Sequence, residues 1–216
     1  MSILKLWKYL DPIQSLLVLS AVRGHQRIEG WLSDAEAAGL YELARRLPPD
    51  SVIVEIGSWK GKSTYCLGRG LRRGTIYAID PFDASGEEGS VASYQKMRGA
   101  TPLLDQFVAN MTQGGVISKI RPLAGPSRQF VEAVAHIDLL FIDGDHSVGG
   151  CDFDYLNYSP RLRSGGYLIF HDYDPARLDL GPTWVIQNRI LNRPEYSPVL
   201  RLDRLYAFVK NPAPGG

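Results

Sequence analysis

One stretch of the sequence, residues 51–64, constrains the fold more than any other. Val52, Ile53, Val54 and Ile56 form a short, β-branched apolar run, which is typical of a strand buried on both faces of a parallel sheet. A turn that contains two glycines follows, and then a helical stretch begins. This order of strand, glycine turn and helix brings backbone amides and a helix N-terminus against a ligand. It therefore predicts a ligand-binding α/β fold.

Three kinds of turn compete for this segment. Gly61, Lys62 and Ser63 resemble the second half of a phosphate-binding loop, but Gly57 and Gly61 are four residues apart, and that motif requires glycines five apart. The dinucleotide fingerprint G-x-G-x-x-G is absent because Trp59 occupies its second glycine position. The third is an E-x-G-x-x-x-G turn that begins at Glu55, and its meaning depends on the rest of the chain.

The bulk properties are those of an ordinary globular protein. The chain has 216 residues, of which 44% are hydrophobic and 22% charged, and this suits one α/β domain. A net charge of +1 argues against nucleic-acid binding through bulk electrostatics. No apolar stretch approaches the roughly 20 residues that span a bilayer, so we expect no stable membrane insertion. Cys66 and Cys151 lack metal-ligand spacing and are interpreted as buried free thiols, which favours the cytoplasm.

The chain divides into a short N-terminal segment and one domain. Residues 1–30 are predicted to form a helical segment that caps the site or pairs subunits into a homodimer, and residues 31–216 form the domain. The domain opens with a capping box, in which Ser33 and Glu36 satisfy each other's backbone amides. The helix that follows is expected to end before Pro48.

Strands and helices alternate after that point. We predict an α/β, Rossmann-like, seven-stranded, mostly parallel sheet with an antiparallel C-terminal strand and helices on both faces. The predicted strands are 52–56, 75–80, 116–123, 137–143, 167–170, 196–200 and 204–209. The predicted helices are 33–47, 63–71, 103–111, 128–135, 147–162 and 183–191. The polar, glycine-rich stretch 83–103 is predicted to be a lid or binding loop.

Polar residues stand at the ends of four predicted strands. Because the carboxyl ends of strands in an open α/β sheet form the ligand crevice, these side chains are expected to converge on one edge. Asp80, 25 residues after Glu55, is in the position from which an acid accepts hydrogen bonds from both ribose hydroxyls of a nucleotide. The strand-end residues are Glu55, Asp80, Asp143, Asp145, His146, His171 and Asp172.

Two further motifs carry a family resemblance. Residues 141–147 read Phe-Ile-Asp-Gly-Asp-His-Ser, and residues 170–173 read Phe-His-Asp-Tyr. With the Glu55 turn, they resemble the class I S-adenosylmethionine-dependent methyltransferases, especially a bacterial group with these motifs and, more distantly, the catechol O-methyltransferases. The resemblance runs from about Trp31 to Lys210 and implies S-adenosylmethionine as the cofactor.

The resemblance also implies roles for individual residues on the cofactor side. Asp80 is implied as the ribose ligand, Phe82 as a wall of the adenine pocket, and Gly125 and Ser127 as a turn near the adenine. Asp143 is implied to lie near the amino group of the cofactor. The turn that holds the methionine part of the cofactor is implied to consist of Glu55, Gly57, Ser58, Trp59, Gly61 and Ser63.

On the acceptor side, the resemblance implies a metal site and a base. Asp143, His171 and Asp172 occupy the positions of the metal ligands in the catechol enzymes. Since His171 replaces an aspartate, a Mg²⁺ site of hard oxygen ligands becomes a mixed site for Mg²⁺ or another divalent cation. His146 occupies the position of a general-base lysine, and imidazole exchanges protons near neutral pH. Asp143 and Asp145 complete the predicted catalytic set.

The predicted reaction is methyl transfer to a hydroxyl of a small molecule such as a sugar, a natural product or a phenol, with or without a divalent metal. Two alternatives remain at this point. One is a P-loop-like nucleotide hydrolase that uses Lys62 on phosphate and Asp143 on Mg²⁺. The other is a cofactor-binding module without catalytic activity.

Overall fold

The computed structural model describes residues 12–85 and 91–213. Its centre is a seven-stranded sheet in the order β3-β2-β1-β4-β5-β7-β6. Strands β1 to β5 pair in parallel, and β7 runs antiparallel to both β5 and β6, which confirms the predicted sheet. The strands are β1 Ser51–Ile56, β2 Gly74–Asp80, β3 Ile120–Ala124, β4 Ile137–Ile142, β5 Leu162–Phe170, β6 Tyr196–Leu202 and β7 Leu205–Lys210.

Helices cover both faces of the sheet. They are α1 Pro12–Val22, α2 Asp34–Arg45, α3 Lys62–Gly70, α4 Val91–Arg98, α5 Leu103–Gln113, α6 Val148–Tyr158 and α7 Gly181–Val185. Leu40 of α2, Leu67 of α3 and Phe107 of α5 belong to one apolar cluster, whereas Tyr158 of α6 and Val185 of α7 belong to a second one. The sheet separates the two clusters.

The central strands contribute side chains to both clusters. Every residue of β4 is buried; Leu139 and Phe141 join the first cluster, whereas Leu140 and Ile142 join the second. Successive side chains of a strand point to opposite faces, so a strand covered by helices on both sides must be apolar at nearly every position. This explains why the uninterrupted apolar runs predicted β1 and β4.

The described part of the N-terminal segment packs on the domain. Residues 1–11 of the predicted segment lie outside the described residues. Helix α1 is followed by a 3₁₀ turn at Arg23–Arg27, and Val22 and Ile28 belong to the same apolar cluster as Leu40. Among the helices of the described residues, none combines the length and the apolar character that crossing a bilayer requires.

Several local predictions differ from the structure. Strand β5 begins at Leu162, whereas the sequence predicted a helix to residue 162 and a strand only from residue 167. The predicted helix 128–135 is two short 3₁₀ turns, Ser127–Gln129 and Val131–Ala133, and the predicted strand 116–123 begins only at Ile120, after another 3₁₀ turn. The predicted loop 83–103 contains helix α4, which has no buried residue; residues 86–90 lie outside the described part. Local hydrogen bonds close the 3₁₀ turns, for example from the amide of Lys119 to the carbonyl of Val116 and from the amide of Phe130 to the carbonyl of Ser127.

The two capping residues of α2 behave as predicted. Ser33 Oγ accepts from the amide of Glu36, and Glu36 accepts from the amide of Ser33 at 2.9 Å. Helix α2 packs mainly on α3. The capping box fixes where α2 begins, and Glu36 in its first turn lies 3.4 Å from His171, which follows β5.

The close approach of β1 to β4 leads to a test at Gly57. This residue has φ +91, and a Cβ built there would lie 2.0 Å from the backbone oxygen of Asp143. We expect Gly57→Ala to lower the free energy of unfolding by about 3 kcal/mol, because both the backbone strain and the clash oppose it. Urea unfolding followed by circular dichroism measures the change.

Gly149→Ala is the matched control, because a Cβ at Gly149 in α6 meets nothing within 4 Å. That variant should change the free energy of unfolding by about 1 kcal/mol or less, in the stabilising direction expected for alanine in a helix. Equal effects of the two substitutions would contradict the steric explanation.

Candidate active site

Two adjoining cavities open at the carboxyl edge of the sheet. The first, called here the Asp80 cavity, has a volume of about 420 Å³; the second, the His146 cavity, has a volume of about 680 Å³. Both volumes suit a small ligand. Four residues line both cavities, namely Gly57, Trp59, Tyr94 and Asp143. A group bound in one cavity can therefore face a group bound in the other.

The turn between β1 and α3 forms the boundary of both cavities and is held from beneath by Glu55. The Glu55 carboxylate is fully buried; it accepts a hydrogen bond from Ser58 Oγ at 2.8 Å and another from Thr64 Oγ1. Glu55 itself lines neither cavity. Burial raises the pKa of Glu55 to about 7, although the hydroxyl groups around it oppose the shift. The hydrogen bonds from Ser58 and Thr64 to Glu55 therefore hold the turn in its conformation.

Asp80 joins the ends of β1 and β2. Its Oδ2 accepts from the amide of Trp59 at 2.8 Å and its Oδ1 from the amide of Phe82 at 2.7 Å. Burial raises the pKa of this carboxyl. Each carboxylate oxygen has more than one lone pair, so the group can still accept hydrogen bonds from a ligand in the Asp80 cavity.

The other predicted cofactor residues are distributed between the cavities and the core. Gly125 and Ser127 line the Asp80 cavity, whereas Ser58 and Ser63 line the His146 cavity. Phe82 lines neither; its ring packs 5.2 Å from that of Phe107.

Gly61 also lines neither cavity and serves the turn. It has φ +90 and precedes α3. A Cβ there would lie 2.5 Å from the Met111 side chain. Its contribution is thus the left-handed conformation and the close approach to α5.

Three aromatic rings form a wall where the cavities meet. Tyr94 of α4 lies edge-on to Trp59 at 5.1 Å and to Trp31 at 5.4 Å between ring centroids. Trp31 is still half exposed. Trp31 precedes α2, Trp59 belongs to the turn after β1, and Tyr94 belongs to a helix that the sequence did not predict.

The polar wall of the His146 cavity is a cluster of histidines and carboxylates. His146 Nε2 lies 3.3 Å from Asp172 Oδ2 and 3.6 Å from Asp143 Oδ1. His171 Nδ1 lies 3.2 Å from Asp143 Oδ1 and 3.3 Å from Asp172 Oδ2. The structure therefore brings together four of the predicted residues, from the ends of β4 and β5.

The two histidines differ in their surroundings. His171 is buried, and its other ring nitrogen lies 3.4 Å from Glu36 Oε1. Although burial lowers the pKa of His171, the carboxylates of Asp143, Asp172 and Glu36 outweigh it and raise that pKa. His146 is partly exposed and lines the cavity. The carboxylates near both ring nitrogens therefore favour the charged form of the His171 imidazole.

Asp172 is held by several contacts in an unusual backbone conformation. Its φ of +54 lies in the left-handed region, which is costly for a residue other than glycine. Burial raises the pKa of Asp172, but the hydrogen bond from His171 and the nearby cations outweigh burial and lower the pKa. Arg204, from the turn between β6 and β7, donates to Asp172 Oδ1 at 3.2 Å.

The donor set of this cluster suits a divalent cation. Ligand atoms of Asp143, His146 and Asp172 lie within 4.8 Å of one another. The sequence prediction named His171 as the third ligand, and the structure places His146 in that group. Two carboxylates and one imidazole fit cations such as Mn²⁺ or Zn²⁺ better than Mg²⁺, which prefers oxygen ligands.

Asp145, predicted to be catalytic, lies apart from this cluster. Its Oδ1 accepts from the amide of Ser147 at 2.8 Å, and the residue is exposed. It lines the Asp80 cavity and not the His146 cavity. The structure thus separates Asp145 from His146, its neighbour in the chain.

Sequence reasoning missed several residues of the site. Glu36 was predicted only to cap α2, and Trp31, Tyr94 and Arg204 belong to no motif. Asp154 was also missed, although it interrupts the buried face of α6 that is otherwise formed by Cys151, Tyr155 and Tyr158. A polar residue on the buried face of a helix is the one sign that could have revealed it.

The fold and the acids at the carboxyl edge of the sheet define the class of protein. A sheet of this order with one antiparallel strand, and an acid after β2, is the arrangement of the class I methyltransferases. The chain matches the model of the family described as a methyltransferase domain over residues 54–173, more than half of its length. The chain belongs to that family of methyltransferase domains, and its fold is that of the class I S-adenosylmethionine-dependent methyltransferases. This membership outweighs the nucleotide-hydrolase alternative.

Individual proteins resemble the chain more distantly. Protein R132 of Acanthamoeba polyphaga mimivirus is 27% identical over 131 residues, which cover 59% of this chain and 54% of that protein. The match thus spans about half the length of that curated relative.

Two solved structures show the same fold. The O-methyltransferase TomG from Streptomyces achromogenes, in complex with S-adenosylmethionine, has a TM-score of 0.62 and 16% identity, with 90% of each chain covered. The O-methyltransferase from Bacillus cereus, in complex with S-adenosylhomocysteine, has a TM-score of 0.61 and 17% identity, with 93% of this chain and 92% of that chain covered.

The buried Glu55 leads to a prediction about pH. Since folding raises its pKa from an ordinary 4.5 to about 7, the folded state binds the proton more tightly. The stability that this group contributes is therefore full below about pH 4.5 and is lost as the pH rises to about 7. We expect Glu55→Gln to remove this loss, worth up to about 3 kcal/mol.

The measurement is urea unfolding of wild type and variant at pH 5 and pH 8. The difference in unfolding free energy should shift in favour of the variant at pH 8. Glu132→Gln, at a side chain that is 89% exposed, should show no such shift. A difference that is the same at both pH values would rule out a buried, proton-binding Glu55.

Proposed function

We propose that this methyltransferase transfers the methyl group of S-adenosylmethionine to a hydroxyl of a small molecule. The proposal rests on one observation: the two cavities meet at Gly57, Trp59, Tyr94 and Asp143. The Asp80 cavity takes the nucleoside of the cofactor, and the His146 cavity takes the acceptor. The sulfonium methyl then lies at the junction.

The cofactor side is supported by the chemistry of its residues. Asp80 presents two carboxylate oxygens, which suits the two vicinal hydroxyls of ribose. The N-terminus of α3, where Lys62 and Ser63 line the His146 cavity, offers helix-end amides to the methionine part of the cofactor. TomG and the Bacillus cereus enzyme share this fold and are in complex with S-adenosylmethionine and S-adenosylhomocysteine, which supports a cofactor of this kind.

The reaction needs a base rather than a strong electrophile from the protein. The acceptor oxygen forms a bond to the methyl carbon while the carbon–sulfur bond breaks, and S-adenosylhomocysteine leaves. His146 takes the hydroxyl proton on Nδ1, the ring nitrogen that does not face Asp143 and Asp172, since imidazole accepts protons near neutral pH. Asp143 and Asp172 orient the ring and stabilise the imidazolium that forms.

A divalent cation held by Asp143, His146 and Asp172 would instead lower the pKa of the acceptor hydroxyl and orient it. These two roles of His146 exclude one another. A neutral imidazole that binds a metal through one ring nitrogen carries a hydrogen on the other, so it cannot accept the proton of the acceptor hydroxyl. His171 supplies positive charge behind the carboxylates in both cases.

Cofactor binding is the first test. Isothermal titration should show that S-adenosylhomocysteine binds the wild type, and that Asp80→Ala weakens binding by about 10-fold or more, since hydrogen bonds to a charged group are lost. Asp83→Ala, at an exposed acid of the same cavity, should bind normally. Thermal unfolding of both variants shows that they are folded. If the wild type does not bind the compound, the proposed function is wrong.

Turnover distinguishes the two roles of His146. Formation of S-adenosylhomocysteine is followed with panels of sugars, natural products and phenols as acceptors. His146→Ala should lower kcat by about 100-fold or more, whereas His136→Ala, at an exposed histidine, should retain full activity. If His146→Ala turns over as fast as the wild type, His146 acts neither as the base nor as a metal ligand.

Chelation then separates the base from the ligand. Wild-type activity that survives a chelator assigns His146 as the base. Activity that is lost with the chelator and restored by Mn²⁺ assigns it as a ligand. Binding of Mn²⁺, measured by titration calorimetry, should weaken in Asp172→Asn only in the second case.

A further inference from the structure

A buried carboxylate on α6 faces the Asp80 cavity and has no part in the methyl-transfer scheme. Asp154 is 2% exposed, yet it lines that cavity. Its Oδ1 accepts from Ser127 Oγ at 2.5 Å. No donor within residues 12–85 and 91–213 hydrogen-bonds to its second oxygen. Buried carboxylates normally satisfy both oxygens, so this one presents an unused acceptor to the cavity.

The surroundings leave that acceptor charged at neutral pH. Burial and the nearby Asp145 raise the pKa of Asp154 to about 6, whereas Ser127 and Arg128 oppose the shift. The carboxyl is therefore mostly ionised above pH 7. An ionised, partly unpaired oxygen in a cavity favours a ligand that donates a hydrogen bond there.

The other residues of the cavity indicate which part of the ligand would lie against Asp154. Asp80 lies at the end of β2, whereas Asp154 and Phe153 lie on α6, beyond the turn that follows β3. Phe153 and Pro126 offer apolar surface beside Asp154, which suits a flat aromatic ring. With ribose at Asp80, the base of the nucleoside extends toward α6.

The geometry assigns Asp154 to the exocyclic amino group of the adenine, as a residue that determines which base the cofactor site accepts. This inference rests on the proposed cofactor site. The adenine amino group is a donor, so it matches the free carboxylate oxygen. A hypoxanthine base has a carbonyl oxygen at the same position, and that oxygen would face the carboxylate with no proton between them.

The test compares S-adenosylhomocysteine with its deaminated form S-inosylhomocysteine, in which a carbonyl oxygen replaces the amino group and the neighbouring ring nitrogen N1 gains a hydrogen, by isothermal titration at pH 7.5. The wild type should prefer the adenine form by about 10-fold or more. Asp154→Asn should reduce the preference to about 3-fold or less, because the asparagine amide can rotate and donate to the carbonyl.

Two matched variants separate base recognition from a structural role of the carboxylate. Ser127→Ala removes the hydrogen bond from Ser127 and should keep the preference, even if overall affinity falls. Asp152→Asn, at an acid of α6 that lines neither cavity, should also keep it. Loss of the preference in Ser127→Ala to the same degree as in Asp154→Asn would overturn the inference.

The wild type alone also decides the question if Asp154→Asn does not fold. Adenine and hypoxanthine forms that bind equally would overturn the role of Asp154 and leave the proposed function intact. If neither form binds the wild type, both proposals are wrong. A preference that persists unchanged in a folded Asp154→Asn variant overturns only the inference about the base.

Discussion

The contact between the backbones of Gly57 and Asp143 is the constraint on which the site depends. It brings the turn after β1 directly against the end of β4, where both cavities meet. No side chain fits between these two backbones. Glu55 supports the turn from inside by binding Ser58 and Thr64, and the carboxylate of Asp80 holds the amide of Trp59 from the next strand. One packed arrangement thus places the residues that line the Asp80 cavity and the His146 cavity at the same edge.

The charges on the acceptor side form a second, linked arrangement. Burying a charged group is costly unless it is paired, and His171 meets carboxylates through both ring nitrogens. One of these carboxylates, Glu36, also caps α2 and accepts from the amide of Arg204 at 3.0 Å. Helix α2, the end of β5 and the turn between β6 and β7 are therefore fixed around one buried imidazole. His146 remains at the cavity surface, where it can contact a substrate.

The accuracy of the sequence predictions followed the strength of the local pattern. Apolar runs located β1, β2 and β4, and the Ser33–Glu36 capping box located the start of α2. Residues 128–135 lack a full apolar face and form only 3₁₀ turns. Helix α4 buries none of its side chains. A helix without a buried face needs no periodic apolar pattern, and its sequence offers none from which the helix could be predicted. Strand ends in an open sheet share an edge by geometry, which is why the convergence of Asp80, Asp143 and Asp172 could be anticipated.

The sequence by itself determined the alternation of strands and helices, the glycine turn and the edge at which the acids gather, because each depends on short-range periodicity and on the parallel sheet. Only the tertiary structure decided how those acids are used. It placed Glu55 beneath the turn, Asp145 and Asp154 in the lining of the Asp80 cavity, and His171 between three carboxylates. These roles depend on contacts between residues far apart in the chain, and burial and pairing across such contacts leave no local pattern in the sequence.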